Sequence, residues 1–451
     1  MRVIILGSGP TGLLLAHALA KLNHPTLQII ILEQRADPVD PTGAGLGLWP
    51  HSVRILDQLG LLPEAKKLVP EMKTSIHLGP HGGLLSESNL FDRIVENHGH
   101  PFMFFERAKL IQLLYERLEN REGVVLAGKK AVSILEKDDV VEVTCEEGPS
   151  FVGDILVGCD GSHSIARRFV ESGLRQYPAL SPTTAVGKVK ASAIRMPSTP
   201  CLPFKATFRC LFGISQLPAG LDHCAMIETH DQGVMIQLLT SDDRTYFLLY
   251  EAKTQQDDGL QTTRYSDADA EAVAKRYENH SVGKEGKVTF GDLWKNKIRA
   301  NLFDLEEGVL SQWFSGRVVL AGDSVHKMTA NLAFGLNVSL EDVASLTNRL
   351  QGLLVTQHAT RPTTSEIEAL FADYQAERYS RAKTCVEMTG LYTRFATWNN
   401  VFFKWMNLYV APRVGDMFVA DWVFSWIPRG GVVLTFLEES DPKRGKVKYL
   451  H

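Results

Sequence analysis

The chain has 451 residues, 44% hydrophobic and 22% charged, with 48 Lys+Arg against 52 Asp+Glu and a formal net charge of −4. Such a chain buries a large core and divides into two or three domains; it is neither a disulfide-stapled miniature nor a disordered polymer. A near-balanced, slightly acidic charge excludes a nucleic-acid backbone binder.

The six cysteines (Cys145, Cys159, Cys201, Cys210, Cys224, Cys385) are scattered and form no CxxC. Neither a dithiol pair nor a metal site is therefore expected, and a reducing, cytoplasmic setting suits them. Met1, Arg2 and the apolar run to Ala20 imitate a signal peptide, but Gly7, Gly9, Pro10 and Gly12 interrupt it. No apolar run reaches the roughly eighteen residues of a membrane-spanning helix.

In chain order, residues 3–6 read as an apolar strand, 13–22 as a helix and 29–32 as a second apolar strand. Apolar strands around a crossover helix predict a parallel sheet buried on both faces. The turn between the first two elements, Gly7-Ser8-Gly9-Pro10-Thr11-Gly12, matches G-x-G-x-x-G. Gly7 permits the tight turn, Gly9 lets backbone approach a pyrophosphate, and Gly12 lets helix pack on strand. The helix N-terminus adds about half a positive charge against the phosphates. Glu33 ends the second strand 21 residues after Gly12. A carboxylate there accepts hydrogen bonds from ribose hydroxyls and repels a 2′-phosphate, so the loop is expected to hold an adenosine ribose rather than NADP.

Residues 50–60 and 108–118 show helical periodicity, while 124–126, 131–135, 140–145 and 154–159 read as strands. The chain is strand-rich from about 183 to 250, at 224–229, 233–239 and 246–250, which predicts an antiparallel sheet. A polar loop follows at 252–264, and Ser266 with Asp269 predicts a cap on a helix over 270–277. Residues 318–321 return to a buried parallel strand, and 339–354 and 366–389 read as long helices. The order α/β, β-rich, α/β predicts one doubly wound domain interrupted by an inserted sheet. The aromatic stretch 402–426, broken by Lys404, Asn407, Arg413, Asp416 and Asp421, reads as a core helix pair, with a surface dipping into a membrane as the alternative.

Two later motifs follow strands: Asp160-Gly161-Ser162-His163-Ser164-Ile165-Ala166-Arg167, and Gly322-Asp323 within residues 317–326. A nicotinamide dehydrogenase would need neither. Together with Gly7–Gly12, in this order, they make the chain resemble the class A FAD-dependent monooxygenases of the para-hydroxybenzoate hydroxylase superfamily. Gly43-Ala44-Gly45-Leu46-Gly47-Leu48-Trp49-Pro50, Arg107-Ala108-Lys109-Leu110 and Tyr374-Gln375-Ala376-Glu377-Arg378 are similar to further segments of that family. The segments at 208–215 and 290–294 resemble fungal secondary-metabolism members.

The resemblance implies an α/β fold: a doubly wound Rossmann-type FAD-binding domain from 1–180 and 296–395, an inserted antiparallel β-sheet substrate domain at 181–295, and a helical, aromatic C-terminal region at 396–451. It implies that Glu33 holds the adenosine ribose, Val132 lends backbone to adenine, Arg107 reaches the pyrophosphate or ribityl region, and Asp160 and Asp323 belong to the cofactor site, with Asp323 on the ribityl chain. Gly335, Leu336 and Asn337 open a helix whose N–H groups face the flavin N1–C2=O edge, where reduction places negative charge. Gly47 allows close approach to the ring, and Arg195 is the expected polar catalytic residue above it. Neither His326 nor His51 is expected to be catalytic.

The implied reaction is hydroxylation or epoxidation of an apolar or aromatic natural-product intermediate, with NADH or NADPH as transient donor, O2 as co-substrate and a flavin C4a-hydroperoxide as oxidant. Phe204, Phe208, Leu211, Phe212, Met226 and Ile236 are the expected pocket lining. The C-terminal region carries an expected peripheral membrane contact, and the oligomeric state stays open. The competing readings are a flavin dehydrogenase or reductase of the same fold, and a non-enzymatic protein that uses 402–426 as a binding surface. A halogenase is disfavoured because Trp422, Trp426 and Ile427-Pro428 miss the W-x-W-x-I-P spacing. Relatives often carry Pro where Ala330 stands, Gly-Gln-Gly where Ala333-Phe334-Gly335 stands and Tyr where Phe208 stands, so Phe334 is expected to add bulk to the pocket.

Overall fold

The computed structural model describes residues 1–39, 43, 45–176, 204–253, 263–356 and 361–451. Its strands are β1 (Arg2–Leu6), β2 (Gln28–Leu32), β3 (Gly45–Leu48), β4 (Thr74–Leu78), β5 (Leu84–Ser88), β6 (Met103–Glu106), β7 (Val125–Leu126), β8 (Ala131–Lys137), β9 (Val140–Cys145) and β10 (Phe151–Gly153). They continue as β11 (Ile155–Gly158), β12 (Lys205–Gln216), β13 (Ala225–Asp231), β14 (Val234–Thr240), β15 (Arg244–Ala252), β16 (Lys297–Val309), β17 (Phe314–Ser315), β18 (Val318–Leu320) and β19 (His326–Lys327).

A six-stranded sheet runs β17-β18-β11-β1-β2-β7, with every pair parallel except the β17–β18 edge. Val3, Ile4, Ile5, Ile155, Leu156 and Val157 are fully buried, as strands covered on both faces require. The helix Pro10–Ala20 packs against the helices Arg107–Glu116 and Phe334–Thr356. This is the expected doubly wound domain, assembled from both ends of the chain.

The second sheet has eight strands in the order β19-β16-β12-β15-β14-β13-β4-β5. It corrects the expected 181–295 boundaries on both sides, because β4 and β5 come from the first segment and β16 from the later one. It is also mixed rather than purely antiparallel, since β4 runs parallel to β13. The physical reason is that sheet membership is a long-range pairing, and a five-residue strand such as Thr-Ser-Ile-His-Leu advertises no partner. Side chains alternate across the sheet. Phe208, Cys210, Phe212 and Leu248 join the main core, while Leu211, Ile236, Phe247 and Leu249 join a second core under the helices Asp267–Arg276 and Phe290–Lys295. The expected cap is present: Ser266 and Asp269 form a reciprocal capping box.

A buried ionic cluster braces the helix Phe334–Thr356. Arg378 donates to Asp342 at 3.0 Å and to Glu341, Arg381 donates to Glu341 at 2.6 Å, and His326 and His51 contact Asp342 and Glu341 at 2.7 and 3.2 Å. Both histidines are therefore structural. Removing one partner from such a cluster leaves an uncompensated buried charge, at a cost of about 3–5 kcal/mol.

The C-terminal stretch is not a core helix pair. The short helices Val401–Trp405, Ala411–Phe418 and Phe424–Arg429 are joined by π-turns, and Val401 (84% exposed), Phe402 (61%) and Trp422 (70%) face outward with Trp405, Tyr409, Phe418 and Trp426. Helices of five to eight residues cover the body with only one side, so the remaining aromatics stay exposed. Among the described residues, no helix is long and apolar enough to cross a membrane.

Candidate functional site

The glycine turn has the conformation its spacing predicts. Gly7 adopts φ +93°, and a side chain there would press to 2.7 Å from the Cys159 carbonyl oxygen; a side chain at Gly12 would reach 2.1 Å from the Gly7 oxygen. Both contacts are backbone, so neither can yield. Gly9, Pro10 and Thr11 then open the helix Pro10–Ala20 onto a cavity of about 450 Å3.

Distant stretches converge on that cavity. Gly161, Ser162 and Asp323 line it, as do Arg107, Gly45 and Gly47, and Gly335 with Leu336 at the start of the helix Phe334–Thr356. Arg107 stands over the glycine turn, its Nη2 3.9 Å from where a Gly9 side chain would begin. Asp323 is exposed on the cavity wall.

Asp160 is half-buried just beyond the end of β11. Its Oδ2 accepts the N–H of Ile165 at 2.7 Å and of Ala166 at 3.3 Å, capping the next helix, while its Oδ1 is buried without a hydrogen-bond partner among the described residues. Burial raises its pKa. Glu33 is buried, and its Oε2 accepts from the N–H and hydroxyl of Ser8 at 2.8 and 2.9 Å. It stands at the glycine turn as its position predicts, but it does not line the cavity. Val132 is 39% exposed on β8 and is likewise outside the lining.

Asn337 does not line the cavity either. Its side chain is turned backward, donating to the carbonyls of Gly47 at 2.8 Å and Ala333 at 2.5 Å and accepting the Trp49 N–H at 2.8 Å. It positions the helix start instead of presenting itself there. Phe334 also departs from expectation. It is fully buried against Trp49, with ring centroids 6.0 Å apart, and adds no bulk to the cavity. Ala333 sits in the left-handed region at φ +54°, which a β-carbon strains. Arg195 lies outside the described residues.

Away from the glycine turn the walls are apolar, with Phe91, Phe102, Leu239, Leu248, Phe303 and Leu305 among the lining. Of the six expected pocket residues only Met226 lines the cavity. Leu211 and Ile236 fall on the far side of the sheet by strand alternation. Phe204 lies buried beneath Arg167 and Lys327, whose charged groups are 5.2 and 5.0 Å from its ring centre.

Polar groups interrupt the apolar walls: Asp304 and the ion pair of Lys327 with Glu306, and a cluster on β4 and β13 that no sequence motif announces. His77 on β4 lies opposite Glu228 on β13, with His230 two residues further along. Glu228 accepts from Gln237 at 2.7 Å and from the Tyr392 hydroxyl. His77 Nε2 contacts Asp416 at 3.1 Å, and Ser88 donates to the same carboxylate. Burial raises the Glu228 pKa and lowers that of His230 to about 3. Burial also pushes His77 down, but its bond to Asp416 and the Glu228 and Asp416 charges outweigh this and the net shift is upward. The one available signal was the alternation Glu228-x-His230, which puts both side chains on one face of a strand.

The residues present fit an FAD molecule. A helix N-terminus and an arginine meet at the glycine turn, an orphaned carboxylate oxygen lies at the Asp-Gly motif, Asp323 is open to the cavity, and a second helix N-terminus faces the same space. Residues 1–389 match the family model described as FAD binding domain. The FAD-dependent monooxygenase paxM of Penicillium paxilli is 31% identical over 419 residues, covering 92% of this chain and 83% of its own. The FAD-dependent monooxygenase penE of Penicillium thymicola is 31% identical over 447 residues, covering 99% and 89%. Among solved structures, Klebsiella pneumoniae HpxO complexed with FAD and uric acid superposes with a TM-score of 0.70 at 18% identity, covering 93% of this chain and 96% of that one, which speaks to fold alone.

Proposed function

The chain belongs to the FAD binding domain family and is an FAD-dependent monooxygenase of the class A type, and from that premise we propose that it consumes NAD(P)H and O2 to hydroxylate or epoxidise an apolar or aromatic natural-product intermediate. The observation that carries this reading is one continuous cavity. Its one end is the glycine turn and the start of the helix Phe334–Thr356, and its other end is an apolar chamber under the eight-stranded sheet. Bound there, FAD supplies electron transfer from the nicotinamide donor and activation of dioxygen.

The protein's own part is binding, orientation and exclusion of water. The N–H groups opening the helix Pro10–Ala20, together with Arg107, would hold the pyrophosphate, and Glu33 the adenosine ribose. Main chain near Val132 would lie along the adenine, and Asp160 and Asp323 would serve the ribityl side. Main chain at Gly47 would pass the ring, and the helix start at Gly335 and Leu336 would stabilise negative charge on its edge. Phe102, Leu239, Leu248 and Leu305 would exclude water from the reacting atoms.

The C-terminal surface supports a second element of this proposal, a peripheral contact with a lipid bilayer. The same run of short helices that presents Phe402, Trp405, Tyr409 and Trp422 outward lines the cavity with Ala411, Pro412 and Gly415. Its acidic residues are engaged, Asp416 with His77 and Asp421 with Arg93, while Lys404, Arg413 and Arg429 lie on the same run and suit anionic headgroups. A lipophilic substrate would then reach the cavity from the membrane side.

The decisive experiment incubates the purified protein with NADPH or NADH, a panel of prenylated and aromatic natural-product intermediates, and 18O2. The reading requires bound FAD, substrate-stimulated NAD(P)H oxidation and one 18O atom in product. Stimulated oxidation with no labelled product would establish a flavin reductase or dehydrogenase instead, and failure to bind FAD would reject both.

A further inference from the structure

We propose that Tyr392, backed by Glu228, is the specificity-determining group of the chamber and holds one hydroxyl or carbonyl oxygen of an otherwise apolar substrate. The inference rests on the monooxygenase reading and deepens it, because it names a polar group that the substrate carries.

Both side chains line the chamber, Glu228 from β13 and Tyr392 from the helix Thr364–Ala396. The Tyr392 hydroxyl is bonded to Glu228 Oε2, and Glu228 is its only hydrogen-bond partner among the described residues. A hydroxyl offers one donor and two acceptor sites, so Tyr392 keeps capacity that the protein leaves unused. The other polar groups of the wall are engaged more fully. Asp304 accepts from Lys253 at 3.0 Å and from the Tyr265 hydroxyl at 2.8 Å, and Lys327 is paired with Glu306. Gln237 donates to Glu228 Oε1 at 2.7 Å and to the Asn331 carbonyl at 2.9 Å, and accepts from the Tyr250 hydroxyl at 3.3 Å.

The neighbouring histidines are occupied with each other. His230 Nδ1 lies 3.2 Å from the Ala396 carbonyl oxygen, which can only accept, so Nδ1 carries a proton and the neutral ring presents a lone pair at Nε2. His77 Nδ1 donates to that lone pair across 3.1 Å, and His77 Nε2 faces the Asp416 carboxylate at 3.1 Å. Asp416 therefore matches the charge of the His77 ring when it is protonated. Glu228 Oε2 stands 3.6 Å from His77 Nδ1 and 3.7 Å from His230 Nε2, outside hydrogen-bond reach of both.

Glu228 is thus buried with a neutral amide and a neutral phenol as its bonded partners, a setting that favours the protonated acid. Its raised pKa agrees. Because Oε1 accepts from Gln237, the acid proton belongs on Oε2, beside Tyr392. The bond between the two can then run either way, since each partner carries an O–H. When an acceptor enters the chamber, the phenol hydrogen turns to it and the Glu228 O–H takes its place on the Tyr392 oxygen. The remaining lone pair of that oxygen accepts from a substrate hydroxyl. An apolar analogue that fills the same space leaves the phenol unpaired and is rejected.

The test measures binding of 2-naphthol and of naphthalene to the FAD-loaded full chain in neutral buffer, by perturbation of the flavin absorption spectrum and without turnover. The wild type is expected to bind 2-naphthol at least about tenfold more tightly than naphthalene, the reverse of the order that a purely apolar wall gives. Tyr392→Phe should abolish this preference with FAD content unchanged. Glu228→Leu removes the partner that turns the phenol hydrogen outward and should reduce the preference by about threefold or more. Glu228→Gln keeps an N–H donor towards Tyr392 and should retain the preference. A preference kept in full by Tyr392→Phe or by Glu228→Leu overturns the proposal, and so does a loss in Glu228→Gln as complete as in Tyr392→Phe. Should the variants lose FAD, the wild type decides alone: naphthalene bound as tightly as 2-naphthol, or neither probe bound, overturns it. Substrate-stimulated NAD(P)H oxidation with no preference for 2-naphthol overturns this proposal and leaves the monooxygenase reading standing.

Discussion

The Asn337 side-chain amide donates to the Gly47 main-chain carbonyl at 2.8 Å, fastening residues 290 positions apart. Because Asn337 also accepts the Trp49 N–H at 2.8 Å, one side chain sets the distance between the strand β3 and the start of the helix Phe334–Thr356, the two elements proposed to flank the flavin ring. Replacing Asn337 with Ala strands a buried carbonyl and a buried N–H, at about 1–3 kcal/mol. The expected outcome is a lower unfolding midpoint in urea together with at least about tenfold weaker FAD binding, since helix and strand drift apart. Unchanged FAD affinity would show that the fastening does not serve the cofactor.

Arg107 tests the phosphate end of the cavity. Its guanidinium stands over Gly9 at the turn that opens the first helix. Charge-assisted hydrogen bonds of this kind contribute about 1.5–3 kcal/mol, so Arg107→Ala should weaken FAD binding by about 10- to 100-fold. Fluorescence titration of apoprotein measures this, and circular dichroism checks that the fold is retained. An affinity within twofold of wild type would remove Arg107 from the cofactor site.

Ala333 offers a test in the opposite direction. Its φ of +54° suits glycine, the residue many relatives carry there. Ala333→Gly relieves strain of about 1 kcal/mol and loses part of that gain to the greater freedom of the unfolded chain. The expected net effect is a stabilisation of up to about 1 kcal/mol in urea unfolding. A clear loss of stability would mean that its methyl group contributes packing that outweighs the strain.

His98 makes stability depend on pH. Its ring is buried against Tyr449, both ring nitrogens lack a hydrogen-bond partner among the described residues, and burial lowers its pKa to about 4. Above its ordinary value of 6.5 the group is neutral in folded and unfolded chains alike, and its full contribution to stability is present. Between 6.5 and about 4 the unfolded chain binds the proton and the folded chain does not, so stability falls as pH falls, by on the order of 3 kcal/mol across the window. His98→Asn should flatten that slope in urea midpoints measured from about pH 7 to about pH 4.5; an unaltered slope would assign it to other groups.

The aromatic surface predicts membrane partition. Wild-type protein should co-sediment with vesicles containing phosphatidylserine, and Phe402→Ser combined with Trp422→Ser should reduce the bound fraction several-fold while leaving FAD content unchanged. Equal sedimentation of wild type and double variant would place the contact elsewhere or exclude it.

Much of the nucleotide-binding half was legible from short-range features. Gly7, Gly9 and Gly12, the carboxylate at Glu33, the Asp160 and Gly322-Asp323 turns and the Ser266 cap each express backbone geometry within a few residues, and such geometry is encoded where it occurs. The half built on the eight-stranded sheet was not legible in that way. That β4 would add to β13, that Leu211 and Ile236 would face away from the cavity, that Asn337 would turn back onto Gly47, and that His77, Glu228 and His230 would meet were all settled by pairings across tens to hundreds of residues. Hydrophobic content at 402–426 was equally compatible with a core and with a surface, because composition records how apolar a segment is and not what covers it. Local steric preference belongs to the amino-acid sequence itself; register, exposure and convergence come from the packing of elements whose mutual fit no single segment contains.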